Sequence, residues 1–107
     1  MHTPEITPQE LSQWLQARRP CLLIDVRGKD ERAIAFIEGD SHIPLDTVLE
    51  QAGDLPKDKT IILYCHSGIR SGQVCRLLLS MGFDMVKNLT GGIDRWTVEI
   101  DPTLKRY

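Results

Sequence analysis

Thr60-Ile61-Ile62-Leu63-Tyr64-Cys65-His66-Ser67-Gly68-Ile69-Arg70-Ser71-Gly72-Gln73-Val74-Cys75 decides how this chain folds. Its opening residues, Thr60 to Tyr64, form an apolar run of strand length, continuous rather than alternating, the pattern of a strand buried on both faces. Beyond the short loop that holds Gly68, the residues Val74, Cys75, Leu77, Leu78 and Met81 recur at helical spacing as far as Gly82. Strand, tight loop and helix in direct succession imply a parallel sheet.

The segments on either side repeat that grammar. Thr7-Pro8-Gln9-Glu10 has the form of a capping box with proline at the first helical position, and Leu11, Trp14 and Leu15 continue a helix to about Arg18. Pro20 stops it, and Cys21-Leu22-Leu23-Ile24-Asp25-Val26 reads as a second buried strand. Residues 29 to 37 carry weak helical periodicity through Ala33, Phe36 and Ile37, followed by a short strand at Ser41-His42-Ile43. Asp46 is placed to cap a helix that carries Val48 and Leu49 up to Gly53. Met85 to Leu89 is a further strand, and Gly91-Gly92 opens a short helix through Ile93 and Trp96. Strands and helices thus alternate, which predicts an α/β fold with right-handed crossovers and helices on both faces of the sheet.

Composition limits what such a fold is for. At 107 residues, 41% hydrophobic and 26% charged, the chain is large enough for one core without disulfides or metals, so 1–107 is expected to be one domain. The net charge of -2 and the absence of any basic run longer than Arg18-Arg19 predict neither nucleic acid nor an anionic membrane as partner. With no apolar leader and no membrane-length apolar stretch, the protein is expected to be soluble and cytoplasmic. Cys21, Cys65 and Cys75 form no C-x-x-C pair, and their odd number argues against a disulfide framework. His2 and His42 show no ligand spacing, so neither a metal nor a cofactor is expected.

The chemistry gathers at Cys65. In an open parallel sheet, ligands bind beyond the carboxyl ends of the strands, and Cys65 is the first residue past one of them. A loop curled round one sulfur atom turns backbone N–H groups inward, and the following helix adds the positive end of its dipole; both favour thiolate. Gly68 supplies the conformational freedom such a curl requires, Arg70 a fixed cation with forked donors, and Ser71 a hydroxyl placed to cap the helix. His66 either donates to substrate oxygen or is a solvent-facing loop residue that supplies only its backbone N–H, and the second reading is favoured because an ordinary imidazole carries little charge at pH 7. Asp25 and Arg27 end a neighbouring strand, where anchoring loops by buried hydrogen bonds outweighs lining a pocket. Cys75 on the apolar stripe and Cys21 at the start of a buried strand are expected to be inert, and Trp14 and Trp96 to pack.

The segment Cys65-His66-Ser67-Gly68-Ile69-Arg70-Ser71 resembles the rhodanese active-site loop, C-x-x-G-x-R-S. Ile24-Asp25-Val26-Arg27 is similar to that family's first signature, Ile43-Pro44-Leu45 to the end of its central motif, and Gly91-Gly92-Ile93-Asp94-Arg95-Trp96 to its G-G-x-x-x-W closing motif. Where the family usually reads G-H-I-P-G-A, this chain reads Ala35-Phe36-Ile37-Glu38-Gly39-Asp40. The resemblance implies a five-stranded parallel sheet flanked by helices on both faces. It also implies a sulfurtransferase in which Cys65 takes a sulfane sulfur from a donor such as thiosulfate and passes it to a thiophilic acceptor, cyanide or a thiol. His66, Ser67, Gly68, Ile69, Arg70 and Ser71 would form the substrate cradle, with Asp25 and Arg27 in support. The tail Val98 to Tyr107 resembles the ends of rhodanese domains fused to sulfur-carrier-activating enzymes, implying a sulfur-carrier protein or cysteine desulfurase as partner. Two rivals stand beside this reading. A cysteine-based phosphatase or arsenate reductase of related fold resembles C-x5-R, one residue longer than the C-x4-R of Cys65 to Arg70; a non-catalytic rhodanese-like docking module commonly lacks the cysteine.

Overall fold

Parallel pairing organises the molecule, which a computed structural model describes over residues 3–107. His2, weighed above as a ligand, lies outside the described residues. Five strands, β1 (Glu5–Ile6), β2 (Cys21–Asp25), β3 (Ser41–His42), β4 (Thr60–Tyr64) and β5 (Val86–Leu89), form one sheet in the order β1-β5-β4-β2-β3. Every pairing is parallel, and β4 runs through the centre with Asp25 level with Tyr64 on one side and Leu63 level with Asn88 on the other. Four α-helices connect the strands, α1 (Pro8–Gln16), α2 (Lys29–Ile34), α3 (Leu45–Gln51) and α4 (Ile69–Ser80), and a fifth, α5 (Gly92–Glu99), follows β5.

The period of two along β4 divides the interior. Ile61, Leu63 and Cys65 face one apolar cluster with Val48 of α3 and Val74, Cys75 and Leu78 of α4. Ile62 and Tyr64 face the other, with Leu11 of α1 and Ile93 and Trp96 of α5, and Trp14 packs against its margin. Because both faces are covered, a continuous apolar run is what β4 requires.

Several boundaries differ from the pattern-based expectation, each for a local reason. Strand β1 carries no periodic signal in its two residues and exists because Glu5 and Ile6 pair with Asn88 and Leu89. The capping box at Thr7 forms with both reciprocal bonds, Thr7 Oγ1 accepting from the Glu10 N–H and the Glu10 carboxylate from the Thr7 N–H. Helix α1 stops at Gln16 rather than Arg18, because Arg18 turns left-handed with φ 53° while Arg18 and Arg19 donate back to the carbonyls of Leu15 and Trp14. Helix α2 ends at Ile34, short of residue 37. Ala35 is extended, its carbonyl accepts from Arg27 Nη2 at 2.6 Å, and the Ile37 N–H donates to the Tyr64 hydroxyl, so tertiary bonds take the groups a longer helix would have used. Asp46 does not cap α3; Pro44 holds that place and Asp46 lies in the first turn. Leu77 on α4 and Met81 just past its end are exposed, and the packed stripe is Val74, Cys75 and Leu78. No helix among the described residues is long and apolar enough to cross a membrane.

Candidate active site

Cys65 is the first residue past β4 at the carboxyl edge of the sheet, and the chain curls at once so that its sulfur faces the start of α4. The Gly68 N–H points at Sγ from 3.1 Å, the Ser71 N–H from 3.5 Å, and Ser71 Oγ lies 3.4 Å away. Gly68 reaches this position with φ 101°, a conformation that a residue with Cβ rarely takes. It occupies the cap of α4, so Ser71 is not the cap; it sits within the first turn and turns its hydroxyl to the sulfur instead.

These donors favour the charged form of the thiol. Burial alone would push the Cys65 pKa up, but hydrogen bonds from the Ser71 hydroxyl and the N–H groups of Ser71, Gly68 and Ser67 outweigh it and bring the thiol below its ordinary value. Cys75 has the burial without the donors, and its thiol is pushed up to about 12. Burial likewise raises Cys21. The three cysteines are free, and only Cys65 is drawn toward thiolate. Of the expected cradle from His66 to Ser71, the N–H groups of Ser67, Gly68 and Ser71 turn toward the sulfur, Gly68 with the shortest bond.

The loop is locked from behind. Asn88 of β5 donates from Nδ2 to the Gly68 carbonyl at 3.0 Å, which fixes its amide orientation and leaves Oδ1 to accept from Ser71 Oγ at 2.6 Å. One hydroxyl proton thus has two takers, Asn88 Oδ1 and the sulfur. Helix α5 grips the other side, Ile93 N–H donating to the Cys65 carbonyl and Asp94 N–H to that of His66. The close approach depends on Gly92, where a Cβ would stand 2.5 Å from the Cys65 carbonyl oxygen.

Charged groups frame the mouth. Arg70 does not stand free: its Nη1 and Nη2 make a bidentate pair with the Glu31 carboxylate of α2 at 2.7 and 2.8 Å. That pair holds the Glu31 carboxyl down at about 2, against the opposing effect of burial and with further help from the Tyr107 hydroxyl. Asp25 and Arg27 are wholly buried and joined by two bonds of 2.9 Å, and Arg27 also reaches the Ala35 carbonyl and the Tyr107 hydroxyl. They tie together the ends of β2, α2 and the tail. The Tyr107 ring stacks on His66 with centroids 4.1 Å apart, so His66 is a covered part of the wall rather than a solvent-facing loop residue. Asp40, where the family motif usually has alanine, pairs both oxygens with Arg32 and accepts from the Tyr64 hydroxyl.

Pattern reading missed Asn88, Glu31 and Tyr107. Asn88 left a trace, as an amide inside an otherwise strand-like segment. Glu31 and Tyr107 left none, since their partners lie far away in sequence.

The family follows from the sequence match to this whole arrangement: the rhodanese-like domain model covers residues 7–99. The chain belongs to the rhodanese-like domain family. It is 37% identical over 92 residues to a sulfurtransferase of Allochromatium vinosum, covering 86% of each chain. It is 38% identical over 104 residues to the probable adenylyltransferase/sulfurtransferase MoeZ of Mycobacterium tuberculosis, matching 95% of this chain but spanning only 26% of that protein. Among solved structures, a rhodanese-like domain protein of Staphylococcus aureus superposes with a TM-score of 0.81 at 30% identity, over 97% of this chain and 98% of that one. The expected five-stranded parallel sheet is the one observed, and that structural neighbour is a rhodanese-like domain protein.

Proposed function

We propose that this rhodanese-like domain is a sulfurtransferase, with residues 1–107 acting as one unit that carries a transferable sulfur as a persulfide on Cys65. The observation that supports it most is the lowered thiol held by Gly68 and Ser71 at a strand-to-helix junction, beside the Arg70 cation. The full-length likeness to the Allochromatium vinosum sulfurtransferase supports the same reaction class.

The first displacement is an attack by the Cys65 thiolate on the outer sulfur of a donor. With thiosulfate, a bond forms from Sγ to that sulfur, the sulfur–sulfur bond of the donor breaks, and its electron pair leaves with sulfite. The amides that hold the thiolate then hold the negative persulfide, without reorganising. In the second displacement a thiol or cyanide attacks the outer sulfur and the Cys65 thiolate departs, giving ping-pong kinetics. A sulfur-carrier protein or a cysteine desulfurase is the natural macromolecular partner, by likeness to MoeZ, whose name joins adenylyl and sulfur transfer. Phosphoryl chemistry is the weaker reading, because the Arg70 fork that would clasp a phosphate is filled by Glu31.

Incubating the protein with thiosulfate and weighing it by mass spectrometry under non-reducing conditions tests the proposal. The expected product is one sulfur atom heavier at Cys65 and returns to its original mass with cyanide. Cys65→Ser should abolish both loading and transfer, while Cys21→Ser and Cys75→Ser keep most of the transfer. Loading that survives in Cys65→Ser sinks the assignment, and equal loss in all three variants points to a cysteine relay.

A further inference from the structure

The cation beside the nucleophile is already spoken for. Arg70 and Glu31 meet fork to fork, Arg70 40% and Glu31 24% exposed, so the pair is partly open to solvent. A second contact holds Glu31 in place: the Tyr107 hydroxyl donates to Glu31 Oε2 at 2.8 Å while accepting from Arg27 Nη1 at 2.9 Å. Arg27 is in turn anchored by Asp25. The carboxylate is therefore built into the rim rather than resting there, and the rim's charge beside Cys65 sums to about zero instead of one positive.

We propose that Glu31 is a specificity-determining residue, which by occupying the Arg70 fork makes the site select a persulfide donor over the dianion thiosulfate. The inference rests on the persulfide reading of Cys65. Thiosulfate needs its sulfonate oxygens held as sulfite leaves, and it can take the Nη1/Nη2 fork of Arg70 only by displacing a carboxylate of its own sign. A persulfide R–S–SH has no such oxygens. Cys65 thiolate attacks its outer sulfur, the new bond forms as the old sulfur–sulfur bond breaks, and R–S⁻ leaves with the electron pair. The proton stays on the transferred sulfur and is then lost to solvent, leaving the persulfide anion among the loop amides. This transfer asks nothing of the Arg70 fork.

Single-turnover loading of Cys65, followed by mass spectrometry, tests this with two donors. One is thiosulfate; the other is N-acetylcysteamine persulfide generated in situ, whose one ionisable group is the persulfide. Glu31→Gln keeps the size of the side chain and removes its charge. Loading from thiosulfate should accelerate by about ten-fold, and loading from the persulfide should change by less than about two-fold. Added salt should shrink the gap between variant and parent with thiosulfate alone, a dependence that a purely structural role does not produce. Tyr107→Phe, on the exposed tail, releases Glu31 from one side and should shift the donor ratio in the same direction by a smaller factor. It decides the question if Glu31→Gln does not fold. Normal loading from both donors with an unchanged ratio overturns the role of Glu31 and leaves the persulfide reading intact; no loading from either donor, in parent and variants alike, overturns both.

Discussion

Cys65 and Cys75 are both fully buried, on the same side of the sheet, yet their thiols move in opposite directions. Burial disfavours the thiolate at both positions, so donors aimed at the sulfur make the difference. Ser71 is the largest of these lowering influences. Ser71→Ala should therefore move the pH profile of Cys65 alkylation by iodoacetamide to higher pH and slow alkylation at neutral pH. It also leaves Asn88 Oδ1 without its 2.6 Å donor, which should cost about 1–3 kcal/mol of stability in a denaturant titration. An unchanged alkylation profile would show that the backbone amides suffice.

At the scale of elements, the loop is held between α4 and α5, and Gly92 is the residue on which that contact turns. Its φ of 61° and the carbonyls of Cys65 and His66 leave no room for a side chain. Gly92→Ala should push the start of α5 away from the loop and break the bonds from Ile93 and Asp94 to those carbonyls. Adding backbone strain to lost packing, the cost should be about 3 kcal/mol or more by chemical denaturation. Residual folded protein should load sulfur poorly, because the loop amides are no longer aimed. Helix α2 behaves differently. It buries no residue, and its place is set by the polar bonds of Glu31 and Arg32 at its surface. The Glu31 carboxyl is held below its ordinary 4.5 at about 2, so its bond to Arg70 stabilises the fold fully above pH 4.5 and is lost as the pH falls toward 2.

For the molecule as a whole, two apolar layers on one sheet carry the stability, and charge introduced into either is penalised. Cys75 lies in the layer under α4, with its thiol raised from 9.0 to about 12. A raised acid contributes stability that is fully present below pH 9 and is lost as the pH climbs toward 12, since the unfolded chain ionises first. Global stability should thus fall by a few kcal/mol across that window, as measured by urea titration at several pH values. Cys75→Ala should flatten this alkaline limb at a cost of about 1 kcal/mol at pH 7 for lost packing. A limb of the same slope in that variant would assign it to other groups.

The sequence alone determined the strand at Thr60 to Tyr64, the loop after it and the helix beyond, and it singled out Cys65 from the other two cysteines, because strand burial, helical spacing and glycine conformation are local or periodic properties. The anchoring roles of Asp25 and Arg27 were legible too, since two charged residues at the end of a buried strand must find partners. The tertiary structure alone decided that Arg70 is paired, that Asn88 locks the loop, that His66 is covered by Tyr107, and that residues 35 to 37 leave the helical path. Each of these is a contact between segments distant along the chain. No periodicity within one segment encodes which remote side chain completes a hydrogen bond, and that choice is made only when the sheet brings its carboxyl ends together.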